Sequence, residues 1–451
     1  MTAIDQLKGI EKATFISRDE HNISRKHISP NALKVLYRLS ENGYAALIVG
    51  GGVRDLLLEK NPKDFDVATD ATPEEVRDLF RNARIIGRRF KIVHIRFGRE
   101  IIEVTTFRAP HSASKQVDKT ATRKQIQGLD SAHTSDGMIL RDNVYGAIDE
   151  DAMRRDFTVN ALYYTIDGFR VIDFCNGSED LNAKQIRMIG DPVERYKEDP
   201  VRMLRAIRFS AKLNFEIEPS TAAPIPELAE LLESISPARL FDETIKLLTC
   251  GNSEDAFTLA RTTGLGAFLF TPTFDALDVC AEHHAHLVTL ALRNTDERLS
   301  VGKSVTPAFL FAALLWPVLQ LRMQQENANG PGSHLTYHQI ANDVILEQLD
   351  FTAIPKRFSI GSKEIWDLQQ RLQRRSKRAV LSVYNHPKFR AAYDFLLLRE
   401  DAGEDLGGIG KWWTEFQNSD RNQQDELLAA LSNTDKRRRR RRKPRKTGNK
   451  P

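Results

Sequence analysis

Asp64 and Asp66 stand two residues apart in PKDFDVAT, a short distance after three consecutive glycines, Gly50, Gly51 and Gly52. In a strand, side chains two positions apart share a face, with about 7 Å between their Cα atoms. Two carboxylates on one rigid face offer hard oxygen ligands to Mg²⁺, which keeps waters and draws its remaining ligands from substrate phosphates. The glycines follow an apolar run, AALIV, and lead into GVRDLLLEK. Without side chains at Gly51 and Gly52, backbone N–H groups can approach a phosphate at a helix start, and Arg54 adds a cation for the same anion. No GK[ST] follows and the spacing is not GxGxxG, so neither common nucleotide loop is present. Glu103, in IIEVTTF, is an acid in an otherwise apolar strand; it must be solvated or paired, and it is a candidate third carboxylate. Taken singly, the acidic pair also suits a surface salt bridge and the glycines a tight turn.

The elements that must carry these residues are legible in outline. PNALKVLYRLSENG has a proline near its start, apolar Ala32, Val35, Leu36 and Leu39 at helical spacing and a stop at Gly43, which predicts a helix. AALIVGG reads as a buried strand, GVRDLLLEK as a helix and KDFDVAT as a second strand. TPEEVRDLFRN reads as another helix, and FKIVHIRF and EIIEVTTFR as a hairpin about Gly98. The polar stretch 111–137 lacks periodicity and reads as a mobile loop. Order returns at DEDAMRRDFTVNALYY and FRVIDF, and beyond about 180 the pattern is helical to about 430. The fold class expected is α+β: a mixed sheet with helices, then a helical remainder and a basic tail.

Composition narrows the classes. The chain has 451 residues, of which 41% are hydrophobic, enough for several cores. Cys175, Cys250 and Cys280 are far apart with no CxxC pair, which argues against a disulfide framework or zinc site and fits a reducing compartment, the cytoplasm. The longest apolar run, PAFLFAALLWPVLQL, is short for a membrane span and carries Pro317, so a buried helix is expected. The net charge of +5 is unevenly placed: residues 436–450 hold 11 Lys and Arg and no acid, leaving 55 basic against 61 acidic residues elsewhere. Such a polycation cannot bury apolar surface, should be disordered, and attracts a polyanion by counterion release.

VGGGVRD, PKDFDVAT, EVTTFR, RRDFTVNALYY and EDPVRMLRAIRF, in that order over about 29–215, resemble the class II nucleotidyltransferases, the family of bacterial poly(A) polymerases and CCA-adding tRNA nucleotidyltransferases. Within it, GRRFKIVHIRFGREIIEV, HPKFRAAYDFLLLR, KWWTEFQ and the arginine tail are similar to the poly(A) polymerase branch. The resemblance implies a DNA polymerase β-like head and a reaction in which two metal ions activate an RNA 3′-hydroxyl for attack on the α-phosphate of ATP. It implies Mg²⁺ as cofactor, RNA 3′ ends as partner and a role in RNA polyadenylation and decay. CCA addition is the alternative, since it shares every head motif; an idle RNA-binding protein is a third reading, against which the intact aspartates and glycine turn speak.

The resemblance also implies residue roles. Asp156 of RRDF counts with Asp64 and Asp66 as catalytic, although an aspartate there equally suits a helix cap or salt bridge. Arg155 and Arg205 are implied as nucleotide contacts, and Asp199 and Arg202 as readers of the base edge, with Asp199 before Pro200 expected to cap a helix. The expected domains are a loose leader over 1–28, the nucleotidyltransferase head over 29–175, a helical neck over 176–240, a helical RNA-binding body over 241–430 and a disordered tail over 431–451. EHHAH from 282, with His283, His284 and His286, lacks the spacing of a zinc helix and reads as a surface helix. RRSKR from 374 suits either RNA contact or a solvated face.

Overall fold

Leu47, Ile48 and Val49 have no exposed side chain and form β2 (Leu47–Val49), next to the centre of an eight-stranded sheet. The computed structural model describes residues 3–87, 91–109, 115–117, 131–134, 139–142, 144–328, 335–374 and 376–441. The chain divides into two units, 1–235 and 236–451. In the first, β1 (Thr14–Ile16), β3 (Asp66–Thr69), β4 (Ala83–Ile86), β5 (Ile92–Phe97) and β6 (Glu100–Thr106) join β2 in the sheet. With β10 (Leu162–Thr165) and β11 (Val171–Asp173) the order is β1-β11-β10-β2-β3-β6-β5-β4. Among the described residues β3–β6 is the one parallel pair of this sheet. The expected hairpin is β5–β6, turning through Gly98 at φ +61°, a backbone state glycine adopts without cost.

Helix α1 (Pro30–Glu41) starts where expected. Ser29 Oγ accepts from the N–H groups of Asn31 and Ala32, Pro30 occupies the first turn, and Ala32, Val35, Leu36 and Leu39 are the buried stripe. Helices α2 (Gly51–Leu57) and α3 (Pro73–Leu79) follow β2 and β3, and Thr72 with Glu75 closes a capping box on α3.

Two expectations change. The leader is not loose: β1 pairs with β11, and Ile4 and Ile10 pack in one cluster with Leu47, Val49 and Tyr163. Its elements are three residues long, too short to display a period in sequence. The stretch 111–137 is not wholly loop, since β7 (Lys115–Val117) and β8 (Ser131–Thr134) lie in it and pair together, with β9 (Ile139–Asp142) beyond; its other residues lie outside those described.

Past the sheet come α4 (Ile148–Met153), α5 (Gly177–Ala183), α6 (Pro192–Glu198) and α7 (Val201–Leu213). Asp199 does not cap α7: it ends α6, with its own N–H bonded to the Arg195 carbonyl, and Pro200 stands at the N-cap. The second unit is helical from Pro237–Leu247 to Arg421–Arg441. Its cores surround Trp366 and Trp413, whose indole N–H groups donate to the carbonyls of Ala312 (2.9 Å) and Leu372 (3.0 Å). The apolar run from Pro307 forms a buried helix, Pro307–Leu314, and the buried first turn of a second, Trp316–Ala328; no helix among the described residues is long and apolar enough to cross a membrane. His284 is buried rather than on a surface helix face, and burial followed by His283 lowers its pKa to about 4. The last helix carries the backbone to Arg441, ten residues into the segment expected to be unstructured. Leu428 and Leu431 anchor its start and arginine propagates helix well. Residues 442–451 lie outside those described.

Candidate active site

Strand alternation sets the two aspartates. Phe65 is buried while Asp64 and Asp66 on either side of it are exposed, although the strand proper begins at Asp66. The parallel pairing of β3 with β6 places Glu103 opposite Asp66, and the antiparallel β5–β6 pairing places His94 opposite Glu103. His94 Nε2 lies 3.0 Å from Glu103 Oε1, so Glu103 is shared between a carboxylate neighbour and an imidazole. Asp64, Asp66 and Glu103, with Lys63, Phe65, Arg99, Glu100 and Ile101, line a cleft of about 710 Å³. Glu100 is committed elsewhere, accepting from Ser29 Oγ and from Asn31 Nδ2 and so tying the hairpin to the start of α1.

The cleft carries uncompensated negative charge. Asp66 is raised to about 6, first by loss of hydration among the surrounding protein atoms and then by Glu103, with Asp64 adding and Arg155 opposing. Its direct exposure and its lost hydration are compatible: water reaches the carboxylate, but from one side of a cleft. Among the described residues no three carboxylate, imidazole or thiol side chains are already gathered as a metal cage. The donors that are present, all oxygen and repelling one another, fit a hard divalent cation whose other ligands come from phosphate and water.

The glycine turn lies beside this strand. Gly50 holds φ +73°, and a methyl group there would sit 3.5 Å from Arg155 Nη1. A Cβ on Gly52 would meet Ile48 Cγ2 at 3.4 Å, Phe65 Cδ1 at 3.5 Å and the Asp64 carbonyl oxygen at 3.6 Å, and one on Gly51 would lie 3.5 Å from Arg54 Nη2. Gly52 therefore packs α2 directly on the segment that carries the aspartates.

Arg155 reaches both features, because it neighbours Gly50 and acts electrostatically on Asp66. Its Nε donates to Tyr163 Oη (3.1 Å) and its Nη2 to Asp151 Oδ2 (3.1 Å), while Tyr163 Oη donates to the same Asp151 oxygen at 2.7 Å. Sequence reasoning missed this brace; its only local sign is that Asp151 and Arg155 are four apart.

Arg54 and Asp156 are each held by partners within the first unit. Arg54 is buried, donating to Asp55 Oδ1 (2.8 and 2.6 Å) and to Asn160 Oδ1 (2.5 Å), with its guanidinium beside Gly51. Asp156 is not among the residues that line the cleft with Asp64 and Asp66. Its Oδ1 accepts from the Phe157 N–H and from Asn160 Nδ2, and its Oδ2 from Arg205. Burial alone would raise this carboxyl, but Arg205, Asn160 and the Phe157 N–H hold it down at about 2. Asp156 thus holds Arg205 of α7 in place through an ion pair. Asn160, which joins Arg54 to Asp156, and Phe209, whose ring lies under Arg54, Arg205 and Arg208, were not anticipated.

On α6 and α7, Arg202 Nη1 donates to the Arg195 carbonyl and to Glu198, both at 2.8 Å, and Arg195 donates to Glu198 and to the carbonyls of Arg154 and Arg155. Guanidinium groups crowd here: burial, then Arg108 and Arg195, lower Arg154 to about 9, and burial, then Arg202, lower Arg195 to about 10. Such crowding favours an anionic ligand. Asp199 is half-buried at the junction of the two helices.

The chain is similar to known proteins over most of its length. Three family models match: "Poly A polymerase head domain" over 46–187, "Probable RNA and SrmB- binding site of polymerase A" over 214–277 and "Polymerase A arginine-rich C-terminus" over 329–447. Poly(A) polymerase I of Salmonella typhimurium is 47% identical over 441 residues, covering 96% of this chain and 92% of the relative. The CCA-adding enzyme of Lactobacillus helveticus is 38% identical over 234 residues, covering 52% of this chain and 53% of the relative. A solved structure described as a tRNA-processing enzyme in apo form shares the fold, with a TM-score of 0.56 at 21% identity, covering 88% of this chain and 99% of that one.

Proposed function

The chain belongs to the poly(A) polymerase I family of nucleotidyltransferases, and on that premise we propose that the cleft at Asp64 and Asp66 joins AMP from ATP to the 3′-hydroxyl of RNA, releasing pyrophosphate. The observation that carries this reading is the Asp66–Glu103 register beside Asp64, which concentrates unbalanced negative charge where the glycine turn and Arg155 converge.

The residues divide the work. Gly51 and Gly52 leave backbone N–H groups approachable by phosphate oxygens, and Arg155, fixed by Tyr163 and Asp151, neutralises charge between that turn and Asp66. Asp199 and Arg202 read the adenine edge, and Arg205, anchored on Asp156, contacts the nucleotide. Asp64 and Asp66 would hold Mg²⁺, which when bound would supply charge stabilisation at the reacting phosphate and ease loss of the hydroxyl proton. The arginine-rich end binds RNA backbone without regard to sequence, which suits an enzyme of many acceptors acting in cytoplasmic RNA decay.

CCA addition is disfavoured by extent: the CCA-adding relative covers about half of this chain, and poly(A) polymerase I nearly all of it. The test is to incubate the purified chain with Mg²⁺, each nucleotide separately and mixed, and either an unrelated RNA or a tRNA lacking its end. A ladder from ATP alone on both RNAs is expected; two C and one A on tRNA only would overturn the reading.

A further inference from the structure

The cleft has a second, oppositely charged feature that the nucleotide reading does not use. Lys63 and Arg99 both line it and are exposed, and neither makes an ion pair with a described residue. Lys63 stands immediately before Asp64, and Arg99 sits at the tip of the β5–β6 hairpin between Gly98 and Glu100, so the acidic floor has a cationic rim. At about 710 Å³ the cleft is far larger than a coordinated ion requires and admits a nucleotide-sized group.

The positive charge continues away from the cleft. Arg208 and Lys212 are four apart on α7 and therefore stack on one helix face. Lys212 is exposed and lies within electrostatic reach of Lys63. Burial lowers its ammonium, Asp55 opposes, and Arg54, Arg208 and Lys63 lower it further. Asp55, the acid that acts on Lys212, is itself engaged by Arg54.

We infer that Lys63, Arg99 and Lys212 form a seat for the acceptor RNA, gripping the phosphodiesters just upstream of the 3′ end. None of the three is among the residues assigned to the nucleotide. Exposed ammonium and guanidinium groups in a line suit a flexible phosphate backbone, which needs charge and not a fixed hydrogen-bond pattern. The hairpin rim and the lysine rim flank the carboxylates, so a strand held on both is led across them.

This seat rests on reading the cleft as the transfer site, and the experiment separates the two claims. Lys63→Ala, Arg99→Ala and Lys212→Ala are combined in the full chain, with Lys34→Ala, an exposed position on α1, as the charge control. Binding of a fluorescent oligoadenylate is followed by anisotropy from low to high salt, alongside steady-state kinetics. Every single-strand phosphate that the protein ceases to neutralise lowers the salt slope by about 0.7, so the slope of the triple variant should fall by about 2. Its KM for RNA should rise about tenfold, with KM for ATP and kcat at saturating RNA within about twofold of wild type. A salt slope equal to that of Lys34→Ala, or a rise in KM for ATP instead of RNA, overturns the seat. The anisotropy arm needs no turnover, so it reads the seat even in a chain that transfers no AMP.

Discussion

Asp66 and Glu103 face one another across the parallel β3–β6 pair, each a carboxylate and each on a strand whose next residue is buried. The repulsion is part of what raises Asp66 to about 6, burial being the larger part.

That shift has a sign that melting curves can read. The folded pKa lies above the value near 3.8 of the unfolded chain, so ionised Asp66 opposes folding, and the cost grows as pH rises from about 4 through 6. Asp66→Asn should therefore raise Tm without metal at pH 7.5, with the gain vanishing near pH 4. Added Mg²⁺ should raise Tm of the wild type and not of the variant, while AMP incorporation by the variant falls at least 100-fold. A Tm difference independent of pH would contradict the electrostatic account.

Asp156 should behave in the opposite way. Its carboxyl is held at about 2, so its stabilising effect is present above about pH 4 and is lost as pH falls towards 2. Asp156→Ala leaves Arg205 without its buried partner and should cost about 3 kcal/mol in urea unfolding at pH 7 as well as activity. An inactive variant of wild-type stability would return Asp156 to the catalytic carboxylates.

Gly52→Ala separates packing from phosphate approach. The added methyl meets its neighbours at ordinary contact distances, 3.4 to 3.6 Å, so the fold should be retained, with Tm within a few degrees. KM for ATP should rise about tenfold, since the methyl, at the limit of contact with Ile48, shifts the start of α2 whose backbone N–H groups meet phosphate. Unchanged ATP kinetics would place the triphosphate elsewhere.

Much of this geometry was legible in sequence because it is local. The alternation around Phe65, the stripe of α1 and the hairpin at Gly98 each follow from neighbouring residues. Pairing between distant charges does not. Arg54 looks like an available cation beside the glycines, and only the fold reveals Asn160, 106 positions later, accepting from it. Asp156 stands in RRDF with nothing local to mark its partner, and only the fold reveals Arg205, 49 positions on, donating to it. The leader was misread for a related reason: single isoleucines from three-residue turns enter a core whose other members lie far along the chain.

Removal of residues 436–451 tests the charge asymmetry. The truncated chain lacks 11 cations, so oligoadenylate binding should weaken at low salt and its salt slope should flatten by several units, at about 0.7 per phosphate neutralised. Equal slopes for the full and truncated chains would remove the tail from RNA binding.

The one parallel pairing of the large sheet, among the described residues, also bears on when the protein becomes competent. His94 and Glu103 are nine residues apart on a hairpin, and such a pair closes cheaply and early. Asp66 and Glu103 are 37 apart, and their register forms only after α3, β4 and the hairpin have been looped between them. The carboxylate pair thus forms after the hairpin: a nascent head with its hairpin already formed still lacks this charge concentration. A refolding experiment should see ATP turnover return after hairpin signals.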